Sequence, residues 1–148
     1  MPSFVSITRG NGKAVFPKCE VMDSPLKRAR GLMFSRKVAL PLFFEFESSG
    51  RRRNSIHSVF CPPFDAIFLN ERMRVVDIRI NVRPYTSIIV PSVACKFLIE
   101  APAFSAKGKK IVLGEKLGAR RIGAAPLYKL HLPSLNSSPA SKGGFHAR

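Results

Sequence analysis

At 148 residues the chain is long enough for one domain with a hydrophobic core, and at 45% hydrophobic residues it is not simply a disordered basic protein. It carries 25 Lys plus Arg against 9 Asp plus Glu, a net charge of +16, which disfavours the compact state by self-repulsion unless an anionic partner offsets it. The chain has no apolar run of about 18 residues for a membrane span, no basic-then-apolar start of a secretory leader, and three widely spaced cysteines (Cys19, Cys61, Cys95) that suit buried thiols in a reducing cytoplasm better than a disulfide framework.

In chain order, Phe4 to Ile7 predicts a short strand and Arg9-Gly10-Asn11-Gly12 a turn, with Ala14 to Met22 as the returning arm of a hairpin. Ser24-Pro25 is a helix start, because Ser can cap the free N–H groups and Pro suits the first helical position; the helix should run to about Met33. Leu40 to Phe46 predicts a strand with Leu42, Phe44 and Phe46 on one face, and Ser48 to Asn54 a polar loop. Ser55 to Phe60 predicts another strand, stopped by Pro62-Pro63. Asp65 to Leu69 and Arg74 to Ile80 flank the turn at Asn70 to Met73, and Val76, Ile78 and Ile80 alternate with Asp77 and Arg79 as a strand with one wet face. Ile88 to Val90 is a short apolar run, Cys95 to Glu100 a strand, and Ile111 to Leu117 one or two short ones. The expected fold class is mainly β (α+β): a compact antiparallel β-barrel-like domain over residues 1–118 with one or two short helices. Residues 119–148 hold no acid and are rich in Ala, Ser, Pro and Gly, an extended basic tail expected to become ordered only on a partner.

The charge is uneven. Residues 1–54 carry 11 basic and 4 acidic groups, residues 55–100 carry 5 and 4, and residues 101–148 carry 9 and 1. The clusters are Lys27, Arg28 and Arg30; Arg36 and Lys37; Arg51, Arg52 and Arg53; Lys107, Lys109 and Lys110; and Arg120 and Arg121, with Lys129, Lys142 and Arg148 in the tail. Arg pairs bidentately with phosphate and Lys supplies point charge, so these are the candidate RNA-binding residues. Tyr128, His131 and Phe145 could stack on unpaired bases or pack on the domain.

Catalytic signatures are missing. No phosphate loop ending in Gly-Lys-Ser/Thr, no His-Glu-x-x-His and no Gly-x-Ser-x-Gly is present. His57 and Cys61 fall short of the four ligands of a closed zinc site, and they read as a strand histidine and a buried thiol. Asp65 reads as a carboxylate bonded to backbone N–H groups near Pro62-Pro63 rather than as a general acid or base. No metal, cofactor, membrane or small-molecule substrate is expected.

Arg28-Ala29-Arg30-Gly31-Leu32-Met33-Phe34, then Leu42 to Phe46, Ile56-His57, Pro63-Phe64-Asp65-Ala66-Ile67-Phe68-Leu69, Val75 to Ile78, Phe97 to Glu100 and Gly114 to Leu117 together resemble the domain-of-unknown-function family numbered 192, above all its archaeal-type members. The resemblance covers about residues 20–118. It implies a compact, mostly antiparallel β-fold and no settled activity. Where many relatives carry an aromatic-Met-Asn stretch, this chain has Ser58 to Pro62.

The function expected from the residues is that of a structural RNA-binding protein, a ribosomal or ribosome-associated component of an archaeal cytoplasm that contacts rRNA phosphates and neighbours other ribosomal proteins. The alternative is a small-ligand or enzymatic domain with a pocket among Met33, Phe44, His57 and Asp65. Peripheral binding to an anionic membrane ranks last, because the Pro- and Gly-rich tail suits no amphipathic helix.

Overall fold

The computed structural model describes residues 2–123. β1 (Phe4–Arg9) and β2 (Ala14–Val21) form the hairpin read from Asn11-Gly12. Gly12 takes φ 83, and the Asn11 side chain accepts from the Lys13 N–H at 3.0 Å to close the turn. Helix α1 (Pro25–Arg30) starts as expected: the Ser24 hydroxyl accepts from the Lys27 N–H at 3.2 Å and Pro25 stands in the first turn. It stops three residues short of Met33, because Gly31 turns to φ 46 and its N–H bonds the Lys27 carbonyl at 2.8 Å.

β3 (Leu42–Gly50) is followed by a single 3-10 turn (Arg52–Asn54), β4 (Phe64–Leu69), β5 (Val75–Val82) and β6 (Cys95–Pro102). A four-residue helix α2 (Ser105–Gly108) and β7 (Leu117–Ile122) complete the described chain. The strands form one sheet in the order β5-β4-β6-β3-β2-β1-β7, antiparallel except where Glu20 and Val21 of β2 pair with Leu42 and Phe43 of β3. The sheet curls until its two outer strands meet at one end: the Val75 N–H bonds the Glu115 carbonyl at 3.0 Å, the Leu117 N–H bonds the Met73 carbonyl at 3.0 Å, and Arg74 bridges Lys116. Beyond that junction β5 and β7 separate. The mainly β, barrel-like architecture is as expected.

Both faces of the central strands are covered. Ile67, Leu69, Ile99 and Ala101 point into the barrel with Ile7, Phe16 and Leu117. Phe64, Ala66, Phe68 and Leu98 point outward, where Leu32, Cys61 and Ile89 from the connecting loops pack with them, together with Val82 at the end of β5. Burial on both sides explains why β4 reads as a nearly unbroken apolar run rather than an alternation.

Three expectations differ. Ser55 to Phe60 is not a strand: only Ile56 bridges Ile89, and the chain bends at Phe60, whose φ is 59. Ile111 to Lys116 is loop apart from its contact with Arg74. Arg120 and Arg121 do not begin a tail, since β7 continues through both to Ile122, pairing them with Ser6 and Val5 of β1. The rest of the tail, with Lys129, Lys142, Arg148, Tyr128, His131 and Phe145, lies outside the described residues. Among the described residues no helix is long and apolar enough to cross a membrane.

Candidate nucleic-acid interface

Three of the nine acids are buried and two more are paired with cations, while Glu45, Glu47 and Glu71 stay exposed. Asp65, Asp77 and Glu100 are buried, Asp23 is paired with Lys27 at 2.9 Å, and Glu115 with Arg9 at 3.2 Å. Of the expected RNA-binding residues in the described chain, Lys27 alone has a carboxylate partner. The others divide by role. Arg51 donates from Nε to the Pro91 carbonyl at 2.9 Å, and Arg53 to the Ser48 hydroxyl at 2.8 Å, so both are braced against the domain while Arg52 is exposed.

Two of the clusters come together around α1. Arg30 shares a groove with Lys27 and Lys37, and Arg28 shares another with Arg53. Arg28 and Arg30 both also line a cleft of about 320 Å³, and the two grooves hold one acid each, Glu20 beside Arg30 and Glu47 beside Arg28. The Lys107, Lys109 and Lys110 cluster forms a separate patch, where Lys109 and Lys110 border a groove of about 420 Å³ with Arg9 and Lys13. There Arg9 donates to the Lys109 carbonyl and the Lys109 ammonium lies 5.3 Å from the Phe16 ring centre. Arg120 and Arg121 stand exposed on β7.

Beside α1 is a feature with no sequence signal. Phe34 (70% exposed), Phe60 (51%) and Tyr85 (70%) form a row of rings: Phe34 stacks on Phe60 at 5.3 Å, and Phe60 meets Tyr85 edge-on at 5.9 Å. All three have left-handed backbones, with φ of 63, 59 and 65. Such conformations are unfavourable for bulky residues and persist only where the surroundings fix them. Here the Phe34 N–H bonds the Phe60 carbonyl at 2.8 Å and the Tyr85 N–H bonds the Ser58 carbonyl at 3.1 Å. Ser58, fully buried, also accepts from the Thr86 N–H at 2.9 Å and donates to the Arg83 carbonyl at 2.5 Å. Along the chain Arg36 and Lys37 follow Phe34, and Arg83 precedes Tyr85.

The pocket anticipated among Met33, Phe44, His57 and Asp65 needs one correction. Met33, Phe44 and His57 line the cleft beside Arg28 and Arg30, but Asp65 is on the other face of the sheet. Its Oδ1 accepts from the Asn81 and Phe104 N–H groups at 2.8 and 2.9 Å, and its Oδ2 from Ala106 at 2.9 Å. It is a backbone-bonded structural carboxylate, as expected, although it holds the β5 end and α2 rather than the Pro62-Pro63 turn.

The acid in the cleft is Glu100, which in the sequence looks like an ordinary strand residue. It is 6% exposed, and its Oε2 is buried without a hydrogen-bond partner. Burial pushes its carboxyl up to about 8, so it is largely protonated at neutral pH. His57, whose Nδ1 accepts from the Val59 N–H at 3.2 Å, and Cys61 share the cleft with Glu100, but the three are not gathered closely enough to hold a metal ion. Burial pushes the Cys19 thiol up to about 12 and the Cys61 and Cys95 thiols up to about 11. All three are free and buried, as expected.

The family model DUF192, described as an uncharacterized ACR, matches residues 6–119. The chain belongs to this family. A UPF0127 protein of Pyrococcus abyssi is 36% identical over 101 residues, 68% of this chain and 84% of that protein. A UPF0127 protein of Thermococcus sibiricus is 35% identical over 97 residues, 65% of this chain, and the match spans only 62% of that relative's length. Among solved structures, a protein from Sinorhizobium meliloti described as a "putative transcription regulator" superposes with a TM-score of 0.69 at 20% identity, covering 80% of this chain and 94% of that one. A protein of unknown function from Novosphingobium aromaticivorans gives 0.65 at 20% identity, covering 79% and 84%. These two likenesses show the fold and go no further. The archaeal members and the barrel-like fold agree with the resemblance read from Arg28 to Leu117.

Proposed function

We propose that this DUF192 protein is a structural RNA-binding protein, not an enzyme, and that structured RNA such as ribosomal RNA is its partner. The observation that carries the reading is the row of Phe34, Phe60 and Tyr85, held exposed on a domain whose candidate cations, Lys27 apart, have no carboxylate partner among the described residues. Charge alone would fit any polyanion. Exposed rings fixed in place add sites on which unpaired bases stack, and every base has a face to offer. Arg28 and Arg30 line the cleft with phosphate-pairing groups, Lys37 and Arg53 border the neighbouring grooves, and the Lys107 to Lys110 patch and Arg120-Arg121 add further cations. The binding energy is Coulombic attraction with counterion release, together with stacking. Ribosomal RNA is the first candidate because it presents many unpaired loops on a rigid, densely charged surface, in the cytoplasmic setting that buried free thiols suit.

Filter binding of the full chain to rRNA fragments, repeated across salt concentrations, tests the proposal. The expected result is an affinity that falls steeply with salt, prefers loops to plain duplex, and drops when Phe60 is replaced by Ala. Salt-independent binding, or none at low salt, would defeat it.

A further inference from the structure

We propose that the cleft over Glu100 receives one unpaired nucleobase, with the adjoining phosphates on Arg28 and Arg30. The inference rests on the RNA-binding reading and names the part of the RNA that this site takes.

A buried oxygen without a hydrogen-bond partner is uncommon in a folded protein and unfavourable until something completes it. Glu100 Oε2 is such an atom, and Glu100 is one of the residues that line the cleft. Gly31 keeps that cleft clear. A Cβ there would come within 3.4 Å of Glu100 Oε2 and 3.5 Å of the Phe44 ring, and the left-handed φ of 46 strains any other residue. The Arg-Gly-Leu-Met stretch therefore places its glycine where a guest group would enter.

The walls set the class of guest. Met33, Phe44 and Phe46 give an apolar lining suited to a flat ring, and a volume of about 320 Å³ is enough for one small group. At neutral pH the protonated Glu100 is a hydrogen-bond donor, so the guest must present a lone pair, as a base does at its ring nitrogens and carbonyl oxygens. A phosphate would also accept that bond, but at this depth it would lose its hydration against phenylalanine with no cation beneath it. The cations are at the margins: Arg30 is exposed, and Arg28 is half-buried and forms no ion pair. The layout is base inside, phosphate outside.

The experiment titrates the full chain with each nucleoside monophosphate and with ribose 5-phosphate, following amide NMR shifts, beside loop RNA binding by filter assay. At least one nucleotide should bind about tenfold tighter than ribose 5-phosphate and move the Gly31 and Glu100 resonances, the value of one good buried hydrogen bond with ring contact. Glu100→Leu should erase that tenfold preference, whereas Glu100→Gln, whose amide still donates, should keep it. Phe46→Ala, on the partly exposed wall, should weaken the preference without unfolding the chain and stands in if Glu100→Leu misfolds. Equal binding of nucleotide and ribose 5-phosphate, an unchanged preference in Glu100→Leu, or a preference for an apolar carboxylate such as octanoate would overturn the inference. In those cases, retained salt-sensitive RNA binding would leave the wider reading standing; loss of all RNA binding at low salt would end both.

Discussion

Asp65 and Glu100 stand one register step apart on paired strands, Asp65 opposite Ala101 and Glu100 opposite Ala66, and they face opposite sides of the sheet. Inside the barrel, Asp65 receives three backbone N–H groups and is 0% exposed. On the outer face, Glu100 is almost as buried but leaves an oxygen unmatched beneath a cleft. Equal burial thus gives two different outcomes. Where donors from Asn81, Phe104 and Ala106 converge, a carboxylate is a structural joint; where no donor reaches the buried oxygen, burial favours the neutral carboxyl.

Substitution at Asp65 should have the largest effect. Removing a charged acceptor strands three buried N–H groups, so Asp65→Ala should lower the unfolding free energy by about 4 kcal/mol or more, read from urea denaturation. Glu100 should behave in the opposite sense. Its folded pKa is raised from 4.5 to about 8, so between those values the folded state keeps a proton that the unfolded state releases. The stabilisation from this group is full below pH 4.5 and drains away as pH rises toward 8, by a few kcal/mol. Glu100→Gln should flatten that part of the stability profile, and an unchanged slope would mean that the carboxyl ionises freely.

The rings offer a smaller effect. Phe34→Ala and Phe34→Gly should each weaken loop RNA binding by about 1–3 kcal/mol. The glycine variant should be the more stable of the two by about 1 kcal/mol, because its backbone accepts the left-handed φ of 63 that alanine resists. The mildest change is expected on β7: Arg120→Gln or Arg121→Gln should reduce the slope of log affinity against log salt by about 1 for each phosphate no longer neutralised, with little change in stability.

The fold was legible where local chemistry and tertiary structure agree. Asn11-Gly12 marks its hairpin and Ser24-Pro25 its helix; Val75 to Val82 does form a strand, but Asp77 is buried and Ile80 exposed, against the single wet face that the alternation predicts. Ser55 to Phe60 misled because its apolar residues cover the outer face of the sheet from an irregular loop, and burial without pairing looks the same in sequence. The basic half of the candidate interface was readable, since charge needs no geometry to be counted. The rings were not: Phe34, Phe60 and Tyr85 are far apart in the chain, share no period, and meet through the Phe34–Phe60 backbone bond and the bonds of Ser58 to the Arg83–Thr86 segment. Glu100 was hidden for a related reason. Nothing in Leu98-Ile99-Glu100 shows that the oxygen lacks a donor; only the three-dimensional arrangement of its neighbours does.

The parting of β5 and β7 beyond Lys116 leaves β7 with β1 on one side and, among the described residues, no strand on the other. An uncovered strand margin invites pairing with a sister molecule, the first step toward aggregates. On this margin consecutive arginines, Arg120 and Arg121, would meet the same two charges on an incoming copy. Like repels like, so a cationic rim disfavours such pairing.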